Sequence, residues 1–408
     1  MGKTLLFSTR KRDHSASMVL SLLAILLFSA SACAPRYAPS VAETALHYNP
    51  VRIASGVPAR PGSLTWSPDG TRLAFIGKTL KIYDTGSGMQ RSFPIDNPYY
   101  IVWAPDSTLY ALSRDSKGNS VLCSLDTNSS RIEKMTLDLD ADALYPASDG
   151  KNLLILSIHI KALSFGTRIS CIIALRNMAV GSSKTIYSFE KTYMMKNLDN
   201  ALLTAWTHAG PSPLDNVVLV MEHVRPPVLP FYTKVNSLDL ATGEISEMSN
   251  PTTNKIYLSA SWSPDGRRAV LTDGNGRIEV RDRLGKGAVI DWSLTGMYPS
   301  WNPRGSRIYC GGFLIDSDGK NKEELLTNAA GSISQWSPDG ITLAVATGDG
   351  LLLFRNMPTS YVLPDRPLDK ALSEKLSLLR KLLSEGVISP QEYNERRDNL
   401  TMKPEEGK

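Results

Sequence analysis

The five residues Trp-Ser-Pro-Asp-Gly occur three times, at 66–70, 262–266 and 336–340. Each copy leads into an apolar stretch: Arg-Leu-Ala-Phe-Ile at 72–76, Arg-Ala-Val-Leu-Thr at 268–272 and Thr-Leu-Ala-Val-Ala at 342–346. Ser-Pro-Asp-Gly fits a type I β-turn, in which Pro presets φ and Asp tolerates the bridge conformation. The Trp ends one strand, and the apolar stretch after the turn is the next strand of the same sheet. These residues therefore read as structural, and none of them is nominated as a functional site.

Weaker copies lie between the clean ones: Trp103-Ala-Pro-Asp106, Tyr145-Pro-Ala-Ser-Asp149-Gly150 and Trp301-Asn-Pro-Arg-Gly305. An eroded one begins at Trp206 and is followed by an apolar run at 217–221. Taking Trp66, Trp103, Pro146, Trp206, Trp262, Trp301 and Trp336 as equivalent gives spacings of 37, 43, 60, 56, 39 and 35. The short spacings suit four-stranded sheets of about 40–45 residues arranged radially, so the fold class is all-β, a β-propeller. Seven blades is the favoured count and six the alternative, because the Trp206 copy is weak. The two long intervals imply insertions near 160–200 and 222–256. After Trp336 only two clear strands follow, and the segment Val51-Arg-Ile-Ala54 can supply the missing outer strand and close the ring.

The Trp-Ser-Pro-Asp-Gly run with its following strand resembles the WD40-like repeat of the TolB-type β-propellers, over roughly residues 58–358. The resemblance implies an extracytoplasmic, non-catalytic binding scaffold. Related propellers also occur as accessory domains of serine peptidases.

The amino end reads as an export signal. Residues 3–12 are basic, 18–28 are largely apolar and short for a bilayer span, and small residues precede Cys33. Ala30-Ser31-Ala32-Cys33 resembles a bacterial lipoprotein box. The resemblance implies cleavage after residue 32 and a diacylglycerol thioether on Cys33. An ordinary signal-peptidase cut at the same bond, or a retained anchor, are the alternatives. Ala34 lacks the Asp associated with inner-membrane retention, which favours the outer membrane facing the periplasm. Residues 33–57 then form a tether, rich in Pro, Ala and Ser, with the closing strand at its end.

The whole chain of 408 residues carries a formal charge of +5, of which +3 lies in residues 1–32. The remaining +2 indicates no nucleic-acid partner. Cys123, Cys171 and Cys310 each sit in an apolar run. Buried free thiols is one reading, and one disulfide plus one free thiol is the other.

After a linker at 359–371 the periodicity turns helical. Leu372, Leu376, Leu379, Leu382 and Leu383 form one stripe, Gly386 stops the helix, and Ser389 with Glu392 caps a second one. The run from Glu374 to Tyr393 closely resembles the short carboxy-terminal module called SHOCT. The resemblance implies docking or self-association through a helical hairpin at 372–402, ahead of a charged tail at 403–408. About thirty residues cannot bury much apolar surface alone, so the stripe needs a partner. That partner is this propeller, a second copy or another protein.

No catalytic residue, metal site or cofactor is nominated. His14 leaves with the signal, His47 lies in the tether, and His159, His208 and His223 are scattered. The chain holds no Gly-x-Ser-x-Gly elbow, phosphate loop or Cys-x-x-Cys. Asp316-Ser-Asp-Gly319 and Asp273-Gly-Asn-Gly276 read as hairpin turns. Candidate partner-binding residues are Pro226, Pro227, Leu229, Phe231 and Tyr232, in the second of the two long insertions. Leu376, Leu379, Leu383 and Tyr393 are the candidates in the carboxyl module, and 187–200 is a further candidate surface. The expected function is a lipid-anchored envelope scaffold binding one or more envelope proteins. The rivals are a propeller lyase or hydrolase and a small-ligand or glycan sensor.

Overall fold

The computed structural model describes residues 48–147, 150–164, 166–193, 212–213, 217–224, 232–248, 255–273, 277–283, 285, 287–291 and 296–357, with scattered positions between 375 and 400. The chain divides into Met1–Ala38, outside the described residues, and Pro39–Lys408, which holds every element named below.

Seven antiparallel sheets make a seven-bladed propeller. Blade 1 is β2 (Leu64–Trp66), β3 (Arg72–Ile76), β4 (Leu80–Asp84) and β5 (Gln90–Phe93). Blade 2 is β6 (Tyr100–Trp103), β7 (Leu109–Arg114), β8 (Ser120–Leu125) and β9 (Ile132–Thr136). Blade 3 is β10 (Ala143–Pro146), β11 (Asn152–Leu163), β12 (Gly166–Asn177) and β13 (Ser183–Tyr193). Blade 4 has β14 (Val217–Val224), β15 (Tyr232–Asp239) and β16 (Ile245–Glu247) among the described residues. Blade 5 is β17 (Tyr257–Trp262), β18 (Arg268–Asp273), β19 (Ile278–Asp282) and β20 (Gly287–Asp291). Blade 6 is β21 (Ser300–Trp301), β22 (Arg307–Cys310), β23 (Phe313–Asp316) and β24 (Lys322–Glu324). Blade 7 is β25 (Ile333–Trp336), β26 (Leu343–Ala346) and β27 (Gly350–Phe354), with β1 (Val51–Ser55) as its outer strand. The amino-terminal strand thus completes the last sheet, pairing Val51 with Leu353 and Ser55 with Gly350.

Each motif residue ends the innermost strand of a blade: Trp66, Trp103, Pro146, Trp262, Trp301 and Trp336. Trp206 lies outside the described residues. In the clean copies the Gly N–H donates to the Ser carbonyl at 2.8–2.9 Å, for Gly70, Gly266 and Gly340 alike. The Ser hydroxyl donates to the Asp carboxylate at 2.5 Å in all three. Gly340 takes φ +74°, closing the turn with a left-handed residue as in a three-residue hairpin. The weaker copies keep the same bond, from Ser107 to Ala104, Gly150 to Ala147 and Gly305 to Asn302.

The middle strands are apolar at consecutive positions because both of their faces are buried between blades. Leu343 and Val345 of β26 pack towards blade 6 with Tyr309 and Leu314, while Ala344 and Ala346 pack towards blade 1 with Leu73 and Phe75. On β3, Ala74 and Ile76 face blade 2. The core is therefore a series of apolar seams between neighbouring sheets. Cys123, Cys171 and Cys310 are free thiols, each buried in such a seam. Burial pushes the Cys171 thiol up to about 12.

The extra residues expected in the long interval after Pro146 are built into strands. β11 and β12 have 12 residues each and β13 has 11, so the extra length at 160–193 is strand. Ile158 and Lys161 pair with Cys171 and Arg168, and Cys171 and Arg168 pair in turn with Phe189 and Thr192. A bulge at Ile186 separates this part from the rest of the blade.

Candidate functional site

Antiparallel order fixes which end of each blade faces which side. The turns after the first and third strands of a blade emerge on one face. The second-to-third turns and the links to the next blade emerge on the other. The Trp-Ser-Pro-Asp-Gly turns all lie on the first face. So do both ends of the propeller chain, since β1 starts opposite Leu353 and β27 ends at Phe354. Two bonds tie these ends down: Tyr48 Oη donates to Glu323 Oε2 at 3.0 Å, and the Met357 N–H donates to the Ile341 carbonyl at 2.9 Å.

The second face carries the lengthened part of blade 3. Strands β11 and β12 are buried through Ser157 and from Cys171, whereas His159 and Lys161 beyond them are exposed. The three paired strands therefore continue past the core as a ribbon. Arg168 of β12 and Glu190 of β13 form an ion pair across it at 3.5 Å. The ends of β14 and β15 at Val224 and Tyr232 reach the same face on the adjoining blade. Of the nominated residues, Tyr232 starts β15 and is half-buried. Pro226, Pro227, Leu229 and Phe231 lie outside the described residues, as do Cys33 and Leu376.

Through the ring runs a channel of about 340 Å³. Its wall joins Gly62, Tyr100 and Tyr145 on blades 1 to 3 with Ser261, Ser300 and Gln335 on blades 5 to 7. The tyrosine rings meet edge to face with centroids 6.0 Å apart. Burial pushes the Tyr100 hydroxyl up to about 12. Gly62 is required there, because a Cβ would stand 2.2 Å from the Tyr100 ring and its φ is +70°. Tyr298, also in the wall, has φ +61°, a strained conformation for an aromatic residue that costs about 1–3 kcal/mol. The Ser259 hydroxyl accepts the Tyr298 N–H at 2.9 Å and holds it. None of these wall residues was singled out from the sequence for binding.

Two polar networks sit towards the second face. In blade 5, Glu279 is 2 % exposed and binds Lys255, Arg281 and Tyr257. Arg281 donates to its Oε2 through Nε at 3.0 Å and Nη2 at 2.7 Å. Between blades 2 and 3, Asp142 Oδ2 accepts the Ile158 N–H at 2.6 Å. Burial raises the Asp142 carboxyl above the usual range, the Ile158 bond opposes this, and the charge of Asp140 adds to it. The Ser157 hydroxyl lies 3.2 Å from His159 Nε2, but Ser157 is fully buried and closed to a substrate. Among the described residues no three His, Cys, Asp or Glu side chains are grouped to hold a metal ion.

Towards the carboxyl end, residues 375, 378–379, 381–383, 392–393, 395–396 and 399–400 are helical among those described. The Ser389 N–H donates to Glu392 Oε2 at 3.1 Å, and the Glu392 N–H donates to Ser389 Oγ at 3.2 Å, a reciprocal cap. Leu379 and Tyr393 are buried with Ile388, and Leu383 is half-buried against them. Leu378 and Val387 are exposed.

Among solved structures, the chain is similar to the crystal structure of the tricorn protease, with a TM-score of 0.53 and 13% identity. The match covers 86% of this chain and 40% of that one, so the likeness is one of fold. No family model matches the chain. No curated protein matches it either.

Proposed function

We propose that the chain is a non-catalytic cell-envelope lipoprotein whose propeller holds partner proteins on its second face. The observation that carries this reading is the ribbon of β11, β12 and β13, a surface of paired strands standing on a rigid ring. Binding residues commonly sit on segments that project from such a frame. The resemblance of the repeat to the TolB-type propellers supports the same role.

In this reading Cys33 carries the lipid, and the tether enters the ring at Val51. Both chain ends then leave the face turned to the membrane, and the ribbon points away from it, into the periplasm. The SHOCT-like segment follows in sequence the strand that ends at Phe354 on this face. Its capped second helix and its buried trio of Leu379, Ile388 and Tyr393 support a small self-packed unit. The exposed Leu378 and Val387 are the side chains it offers for docking or self-association.

The decisive experiment is crosslinking and affinity capture from native envelopes. A variant in which 159–170 is replaced by Asn-Gly keeps the blade and removes the ribbon tip. It should lose the captured partners, and an unchanged capture profile would overturn the scaffold reading. In the same envelopes, Cys33→Ser should move the protein from the membrane to the soluble fraction. A membrane-bound variant would overturn the lipid anchor.

A further inference from the structure

The channel has a chemistry that the scaffold role does not use. Among the described residues, none in the wall is Asp, Glu, Lys, Arg or His. An ionised ligand would leave water there with no counter-charge, at a large desolvation penalty. The wall is nonetheless polar on one arc. Ser261, Ser300, Ser334 and Gln335 contribute hydroxyls and an amide from blades 5, 6 and 7. Tyr100 and Tyr145 face it from blades 2 and 3, and Trp262, Tyr298, Trp301 and Trp336 add aromatic rings on the same side as the serines.

Some of these polar groups are spent on each other. Ser300 and Ser334 share a hydrogen bond, and so do Tyr100 and Tyr145. Ser261 and Gln335 are different. Their backbone carbonyls accept the indole N–H groups of Trp301 at 3.2 Å and Trp66 at 3.1 Å. Among the described residues, their side chains have no hydrogen-bond partner. One hydroxyl and one carboxamide therefore stand half-buried in the wall with donors and acceptors unpaired. Tyr298, strained at φ +61°, lies in the same wall, and strain of this kind gathers at ligand sites.

We propose that the channel binds a neutral carbohydrate of one or two sugar units. A sugar ring has apolar C–H faces that suit the tyrosine arc and hydroxyl edges that suit the serine and glutamine arc. It carries no charge to leave uncompensated. A space of about 340 Å³ is at the small end of known ligand sites, which span about 300–1,000 Å³. The ligand enters along the ring axis, so this site and the ribbon can be occupied independently.

The test is a calorimetric titration of the mature protein with three neutral disaccharides: cellobiose, maltose and N,N′-diacetylchitobiose. Glucuronate and glucosamine serve as the charged probes. At least one neutral disaccharide should bind saturably, with Kd at or below about 10 mM. Gln335→Leu should weaken that binding about tenfold or more, and Ser261→Ala should weaken it by a smaller factor. The charged sugars should bind more weakly than the neutral one. Thermal melts of both variants check the fold, and Ser261→Ala, a smaller change, keeps the test usable if Gln335→Leu unfolds. Three results would overturn the proposal: no saturable binding of any neutral probe up to about 50 mM, binding unaltered by the folded variants, or equal binding of the charged sugars. Partner capture by the ribbon is unaffected by any of these results, so the two ideas fail separately.

Discussion

The indole N–H of Trp66 donates to the backbone carbonyl of Gln335 at 3.1 Å, joining the first complete blade to the last. Trp301 repeats the arrangement two seams away, donating to Ser261 of the preceding blade at 3.2 Å. In both pairs the acceptor is the residue just before the preceding blade's own tryptophan. At these two positions the motif tryptophan is a latch between neighbouring sheets, whereas Trp103, Trp262 and Trp336 have no such acceptor among the described residues.

The latch predicts an asymmetry between tryptophans. Trp66→Phe keeps most of the ring but loses a bond worth about 0.5–1.5 kcal/mol. Trp103 Nε1 is buried without an acceptor, so Trp103→Phe removes an unpaired donor instead. Urea melts should show Trp66→Phe as the more destabilised variant by about 1 kcal/mol. Equal losses would mean that the bond at the closing seam contributes nothing.

Ser107 stands where the clean repeats have glycine, at φ +66°. A side chain in this region costs roughly 1 kcal/mol, which glycine avoids. Ser107→Gly should therefore raise the midpoint of thermal unfolding by a few degrees. A lower midpoint would show that the Ser107 side chain offsets its own strain.

Glu279 and Glu133 make ion pairs of opposite worth. Glu279 is enclosed by Lys255 and Arg281, so Glu279→Ala strands two partly buried cations and should cost about 3–5 kcal/mol. Arg131 and Glu133 are paired at 2.8 Å but are both well exposed, and Arg131→Ala should leave the midpoint nearly unchanged. Denaturant curves of the two variants read the contrast directly.

Asp142 makes stability depend on pH with an uncommon sign for a carboxylate. Its folded pKa is raised, so the folded state holds the proton more tightly than the unfolded state does. The stabilisation is complete below the unfolded pKa and fades as pH rises through the folded value. Asp142→Asn, which stays neutral, should gain stability relative to wild type at pH 7 and lose that advantage near pH 4. A gain that is the same at both pH values would rule out titration of Asp142 as the cause.

The ring was readable in the sequence because every blade needs the same sharp turn after its inner strand. Even degraded copies such as Ala-Pro-Asp-Ser at 104–107 keep the hydrogen bond that the turn requires. The spacing placed extra residues near 160–200, but it counts residues without saying what they form. The signal that could have identified the ribbon was present: Ser157-Ile-His-Ile-Lys-Ala-Leu163 alternates polar and apolar side chains, as a half-exposed strand does. The channel had no such signal. Its wall is drawn from short segments of six blades, and only closure of the ring brings Gln335 into the same wall as Tyr145.

That closure also orders events in time. Val51–Ser55 is the first strand to leave the ribosome, yet its partner at Gly350–Phe354 follows about three hundred residues later. Joining segments so distant is slow, because the loop between them must be organised before the contact is gained. Until then β1 has no sheet to join and blade 7 lacks its outer strand. A nascent or truncated chain that stops short of Phe354 is an open arc with adhesive edges, and quality control has a single late step to monitor.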